Sequence, residues 1–246
     1  MAMKLVVIGN IIFSSLLGEG MLERLKERYN SAKDPDTEIS WSFAVKGVGA
    51  VEQDFQIELG ATYMMKQAME VDENVYDGVL IPCGLDPCLT AAREYLKIPV
   101  VGALSAAVNL ASTLGRKFSI ISPESPAIRY AAADRIRMYN MEAKLASIRG
   151  ITTQLANFGT LSPDRALEEI TVAARKAIDD DGADVILLGC GAMEGSETLS
   201  KRLGVPVIDL AIAALKMCEL IVKMGLSHSK VAYPHPRETI PANVFS

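Results

Sequence analysis

Laid against itself at an offset of 107 residues, the separation of Cys83 and Cys190, the chain matches its own second half without a gap. Asp77-Gly78-Val79-Leu80-Ile81-Pro82-Cys83-Gly84 falls on Asp184-Val185-Ile186-Leu187-Leu188-Gly189-Cys190-Gly191. Further along, Leu96 meets Leu203, Pro99-Val100-Val101 meets Pro206-Val207-Ile208, and Ala106-Ala107 meets Ala213-Ala214. Ala, Val and Leu coincide often by chance. A Cys-Gly after an apolar run and a Pro opening the next run, both repeated in register, do not. The repeat is one strand-helix-strand-helix unit used twice, and it commits the chain to two similar halves.

Within each half, short apolar runs alternate with longer segments of helical period, the pattern of parallel strands covered by helices in an α/β fold. Strands are expected near residues 4–9, 38–45, 78–82, 98–102, 117–121, 149–154, 184–188 and 205–208. Helical stretches are expected at Met21 to Tyr29, Gln53 to Val71, Pro87 to Leu96, Ala103 to Leu114, Pro163 to Ile178 and Ala211 to Met224, each with apolar residues three or four apart. Ser162-Pro163-Asp164 reads as a helix start: a capping hydroxyl, a proline in the first turn, and a carboxylate suited to the dipole. The expected division is a first lobe of residues 1–104 plus 211–246 and a second of 105–210.

In an open parallel sheet, ligands sit beyond the carboxyl ends of the strands, where loops lead into helices. Cys83 and Cys190 both stand at such an end. Helix N-terminal amides near the thiols would favour thiolate and lower the pKa from its free value of about 8.5. Two sulfurs facing one cleft from opposite sides suit inversion at a carbon acid: one thiolate removes a proton from one face while the opposite thiol delivers one to the other. For either cysteine alone an inert buried thiol is the ordinary reading. The paired placement argues for function. Cys88 and Cys218 have no Cys counterpart at the repeat offset, fall in expected helices, and read as packing residues.

Cys83-Gly84-Leu85-Asp86-Pro87-Cys88-Leu89-Thr90-Ala91-Ala92-Arg93-Glu94 resembles the Cys-x-x-Asp-Pro-x-Leu-x-x-Ala-Arg-Glu segment of hydantoin racemases, within the aspartate/glutamate/hydantoin racemase superfamily. Leu187-Leu188-Gly189-Cys190-Gly191-Ala192-Met193 is similar to that family's second cysteine segment, and Val205-Pro206-Val207-Ile208-Asp209 to its next strand. The resemblance extends to Gly47-Val48-Gly49-Ala50-Val51-Glu52 and Lys230-Val231-Ala232-Tyr233-Pro234. It implies two pseudo-symmetric, aspartate racemase-like lobes with parallel sheets, an active site between them, no metal or organic cofactor, and Cys83 and Cys190 as the two bases. Aspartate and glutamate racemases usually carry Cys-Asn-Thr and Cys-Thr-His at these points, where this chain has Gly84-Leu85 and Gly191-Ala192. The resemblance therefore points to a 5-substituted hydantoin or allantoin rather than a free acidic amino acid. Hydantoin racemases follow the first strand with Asn-Pro-Asn-Thr; here the loop reads Gly9-Asn10-Ile11-Ile12-Phe13-Ser14-Ser15. Asn10, Gly84, Ser122 and Gly191 are the expected substrate-binding positions, with Ser105 at a further strand end.

Other chemistries fit less well. Gly189-x-Gly191-x-x-x-Gly195, with Asp209 downstream, imitates a dinucleotide fingerprint, but its third glycine is one position late and its repeat partner has no glycine run. The two histidines, His228 and His235, lie in the polar C-terminal tail, so no zinc site is expected. Arg129, Arg135, Arg137 and Arg149 read mainly as a solvated face. A net charge of −5 without a basic stripe argues against nucleic acid. No apolar run approaches the roughly 20 residues of a membrane span. With four cysteines and a strand rather than an export signal at the N-terminus, free thiols in the cytoplasm are expected. A homo-oligomer acting on a small molecule is the expected assembly. A cysteine-dependent isomerase, an amino-acid racemase, a one-cysteine decarboxylase and a small-molecule binding module with inert thiols remain alternatives.

Overall fold

A computed structural model of the chain describes residues 2–9, 19–44, 46–48 and 53–237. The first half contributes β1 (Met3–Gly9), α1 (Glu19–Ala32), β2 (Thr37–Phe43), α2 (Asp54–Met69), β3 (Gly78–Ile81), α3 (Leu89–Tyr95), β4 (Val100–Gly102) and α4 (Ala103–Leu114). The second repeats the series: β5 (Phe118–Glu124), α5 (Pro126–Met138), a 3-10 turn at Glu142–Lys144, β6 (Leu145–Gln154), α6 (Leu155–Phe158), α7 (Pro163–Asp179), β7 (Val185–Leu188), α8 (Ser196–Leu203), β8 (Val207–Asp209) and α9 (Leu210–Lys223). All eight strands anticipated from the sequence are present. Among the helices, α5, α6 and α8 lie outside the stretches named above.

The strands form two parallel four-stranded sheets of identical topology, β2-β1-β3-β4 and β6-β5-β7-β8. Strand period two splits the first sheet between two cores. Leu5, Val7 and Leu80 face the large core shared with the second sheet. Val6, Ile8, Val79 and Ile81 face α2 and α3 through Met64, Ala68, Leu89 and Ala92. Both faces being covered, the strands carry near-continuous apolar runs, and each buried Val, Leu or Ile is worth about 1.5–3 kcal/mol. The last helix of each half crosses over: α4 packs on β5, β7 and β8, α9 packs back on β3 and β4, and the two helices pack on each other. The carboxyl ends of β3 and β7 are thereby drawn together.

The expected helix start holds at α7: the Ser162 hydroxyl accepts the Arg165 N–H at 3.3 Å and Pro163 opens the helix. Cys88 differs from expectation. It is the N-cap of α3, with a left-handed φ of 53°, rather than a residue inside the helix. Among the described residues no helix is long and apolar enough to cross a membrane.

Candidate active site

β3 ends at Ile81 because Pro82 has no N–H to continue the ladder; β7 ends at Leu188, after which the Gly189 N–H still reaches the Ile121 carbonyl at 2.6 Å. The two loops that follow pack backbone to backbone. A Cβ at Gly84 would collide with the Gly189 carbonyl oxygen, and one at Gly191 would lie 2.5 Å from the Pro82 carbonyl oxygen. Pro82 and Gly189 are repeat partners, as are Gly84 and Gly191, so the two contacts are one contact seen twice across a pseudo-two-fold axis. Glycine is needed at 84 and 191 for this close approach, which gives both positions a packing role. Cys83 and Cys190 stand between these contacts, close enough for charge on one thiol to act on the other.

Both cysteines are free and partly exposed, yet their sulfurs lie among apolar groups. Cys83 packs beside Ile57, Leu85, Ala131 and Ala132, and Cys190 against the large core. Burial pushes the Cys83 thiol up to about 12, against one favourable backbone N–H, from Leu85. Burial raises Cys190 as well, opposed by the N–H of Ala192, the Arg28 guanidinium and the N–H of Met193. The expected lowering by helix N-termini is thus corrected. The helices start at Leu89 and Ser196, well past the cysteines, and the amides that reach the sulfurs belong to the intervening turns.

Two buried carboxylates brace these loops. Asp86, with a left-handed φ of 44°, accepts the N–H of Leu104 at 3.0 Å, that of Ser105 at 2.7 Å, and the Tyr139 hydroxyl at 2.6 Å. Burial lifts its pKa to about 6. Asp209 caps α9 through the N–H groups of Ala211 and Ile212 at 2.9 and 3.2 Å, and pairs with Arg28 at 2.8 Å. Arg28 also donates to the carbonyls of Gly191 and Met193. These ties account for Asp209 without a nucleotide. A cavity of about 370 Å³ between α1, α7 and the second loop contains Arg24, Arg28 and Glu194; its pseudo-symmetric counterpart of about 490 Å³, between α2, α5 and the first loop, contains Asp86, Arg135 and Tyr139.

Of the remaining candidates, Asn10 lies outside the described residues. Ser122 is buried beside Gly189 and donates to the Pro123 carbonyl at 3.2 Å. The Ser105 N–H serves Asp86. Arg129, Arg137 and Arg149 pair with neighbouring carboxylates on the surface, whereas Arg135 donates to the Met138 sulfur at 3.3 Å and lines one cavity with Tyr139. Arg28 was not singled out in the sequence, although the signal was there: it lies 107 positions before Arg135, the same offset as the cysteines. No group of three or more His, Cys, Asp or Glu among the described residues is placed to hold a metal ion.

Twin parallel sheets, joined where two cysteine loops touch, define an α/β enzyme of the racemase architecture. The sequence profile described as Asp/Glu/Hydantoin racemase matches residues 15–218, and the chain belongs to this family as an isomerase of the racemase class. It is 32% identical over 226 residues to a hydantoin racemase of Pseudomonas sp. (strain NS671), covering 90% of each chain. Its fold superposes on the allantoin racemase of Pseudomonas fluorescens with a TM-score of 0.88, at 30% identity and covering 97% of this chain and 99% of that one. The allantoin racemase of Klebsiella pneumoniae gives a TM-score of 0.89, again at 30% identity, over 99% and 98% of the two chains.

Proposed function

We propose that this racemase inverts a carbon acid next to a carbonyl by a two-cysteine acid/base mechanism, with a 5-substituted hydantoin or an allantoin-like ring as substrate. The observation that carries the reading is the reciprocal packing of residues 82–84 on 189–191, which sets two thiols about one pseudo-two-fold axis. One sulfur, as thiolate, takes the proton from carbon, and the C–H electron pair moves into the adjacent carbonyl as an enolate. The enolate returns that pair to carbon, taking a proton from the opposite thiol. Proton and charge have then exchanged places between the sulfurs, and exchange with solvent restores the starting pair. The names of the hydantoin and allantoin racemases similar to this chain support the ring substrate. So do the small neighbours Gly84 and Gly191, which leave no side chain to hold a carboxylate.

The test screens both enantiomers of several hydantoins, allantoin and amino acids by polarimetry, then follows the active compound in deuterated water by chiral chromatography with mass detection. Early product is expected to carry solvent deuterium while recovered starting enantiomer carries little. Cys83→Ser and Cys190→Ser are each expected to lower racemisation by about 10²–10⁴-fold, the range typical of a lost acid/base group. Full activity in either variant, or equal early labelling of both hands, excludes the opposed pair.

A further inference from the structure

The groups around the two thiols differ in charge. The backbone N–H groups of Ala192 and Met193 favour thiolate at Cys190, and that of Leu85 favours it at Cys83. The Met193 N–H also reaches the Cys190 carbonyl at 2.9 Å, so it is shared between oxygen and sulfur. Asp86 stands at the equivalent place in the first half. Its backbone is turned left-handed, and its N–H is directed to the Cys83 carbonyl at 3.1 Å.

The side chains add to this. From α1, Arg28 grips the second loop at two carbonyls and acts on Cys190; Asp209, its ion-pair partner at the start of α9, opposes it more weakly. Around Cys83 stand the Cys190 and Cys88 thiols, then Asp86, whose partner is the neutral Tyr139 hydroxyl. Arg135 on α5 acts on Cys83 more weakly than Asp86 does.

Building on the two-cysteine reading, we propose that Cys190 gives up its proton before Cys83, so that the working pair is thiolate at 190 and thiol at 83, and that Arg28 is the positioning residue that sets this polarity. The enantiomer whose C–H faces Cys190 then meets a base in the resting pair. Its mirror image must wait for the proton to change sulfurs. Because enantiomers are equally stable, kcat/KM is the same in both directions, and the polarity shows only as a split between kcat and KM.

The polarity is read without turnover by pulsing the folded wild-type protein with iodoacetamide across a pH series and mapping alkylated peptides by mass spectrometry. The midpoint of each pH profile reports ionisation independently of access. The Cys190 midpoint is expected below that of Cys83, so that Cys190 is the sulfur alkylated first as pH rises. Equal midpoints, or a lower one for Cys83, overturn the polarity. Arg28→Gln should raise the Cys190 midpoint and carry the acid limb of kcat with it. If that variant does not fold, Arg28→Lys serves: one ammonium cannot span both loop carbonyls and Asp209, so the gap should close in part. An unchanged gap in the folded variant removes Arg28 from the proposal. The two-cysteine reading is judged separately, by the serine variants.

Discussion

Asp86 and Asp209 do one job from different places in the chain. In the second half, the opening amides of α9, Ala211 and Ile212, meet the carboxylate of their own N-cap residue. In the first half, the repeat-equivalent amides of Leu104 and Ser105 meet a carboxylate too, but their N-cap is Gly102 and the acid reaches in from the loop after Cys83. A Cβ at Gly102 would lie 2.5 Å from the Asp86 carboxyl, so glycine there makes the room. Unpaired amides at a helix start require an acceptor, and a duplicated fold can supply it from any neighbour that reaches. Moving the acid changed its partner: Arg28 holds Asp209, while Tyr139 holds Asp86. The backbone thus keeps a two-fold symmetry that the side chains have given up.

Backbone symmetry can be broken at its contact point. Gly84→Ala drives a methyl group into the Gly189 carbonyl, an obstacle that is main chain and cannot swing away. A loss of about 1–3 kcal/mol in denaturant unfolding is expected, as for other overpacked sites. On the proposed two-cysteine mechanism, a thiol displaced by about 1 Å can lower kcat by as much as ~10²-fold. Gly191→Ala meets Pro82 at a longer separation and should be milder on both counts. Wild-type stability and rate in both variants would show that the loops do not need to touch.

The altered caps are next in size. Asp86, with its folded pKa raised to about 6, favours the protonated carboxyl on folding. Its stabilisation is therefore complete below the unfolded value of about 3.9 and is lost as pH rises through 6. Two units correspond to about 2–3 kcal/mol. Asp86→Asn is expected to flatten the decline in stability between pH 4 and 6, seen as a wild-type minus variant difference in Tm that changes across that window. A difference constant with pH would mean that Asp86 stays ionised on folding and that the hydrogen bonds to its carboxylate outweigh its burial.

Much of this was legible before any coordinates. Strand runs such as Val185–Leu188 and the 107-residue offset require only local pattern, and they mark eight strands and the two cysteine loops that pack together. The helices that escaped are those with weak contrast. α5 buries Ile128, Ala131, Ala132 and Ile136, half of them alanines, and α8 buries only Leu199 and Leu203. Ser125-Pro126 before α5 was nonetheless a readable start, for the Ser125 hydroxyl accepts the Ile128 N–H. The bracing of the site was less accessible, because Arg28 meets Asp209 across 181 residues and Tyr139 meets Asp86 across 53. Such partners depend on how the helices cross, which no local period records. The upward shift of both thiols was hidden for the same reason: the sequence places a cysteine near amides, but only packing decides how much water its sulfur loses.

The smallest difference between the halves lies at their edge strands, and it can be sharpened with pH. Val100 and Val207 are repeat partners at the start of β4 and β8, and each has an N–H that its sheet does not use. At Val207 the acceptor is the Ser200 hydroxyl, at 2.9 Å. At Val100 it is the Nε2 of His228, at 2.8 Å, contributed by the C-terminal segment. With its proton on Nδ1, His228 accepts this N–H; its Nε2 also lies 2.9 Å from the Val100 carbonyl, whose other lone pair takes the Arg93 Nε–H at 3.1 Å. Burial, then the Arg93 charge, lowers the His228 pKa to about 4. A histidine depressed on folding stabilises above its unfolded pKa of about 6.5 and loses that contribution as pH falls toward 4. Ser200 has no such dependence. Each alanine variant should cost about 0.5–1.5 kcal/mol at pH 7, the worth of one hydrogen bond. By pH 5 the deficit of His228→Ala should have shrunk while that of Ser200→Ala persists, as read from Tm against the parent. If the His228→Ala deficit held constant down to pH 4, the C-terminal segment would be fastened to β4 by something other than this neutral imidazole.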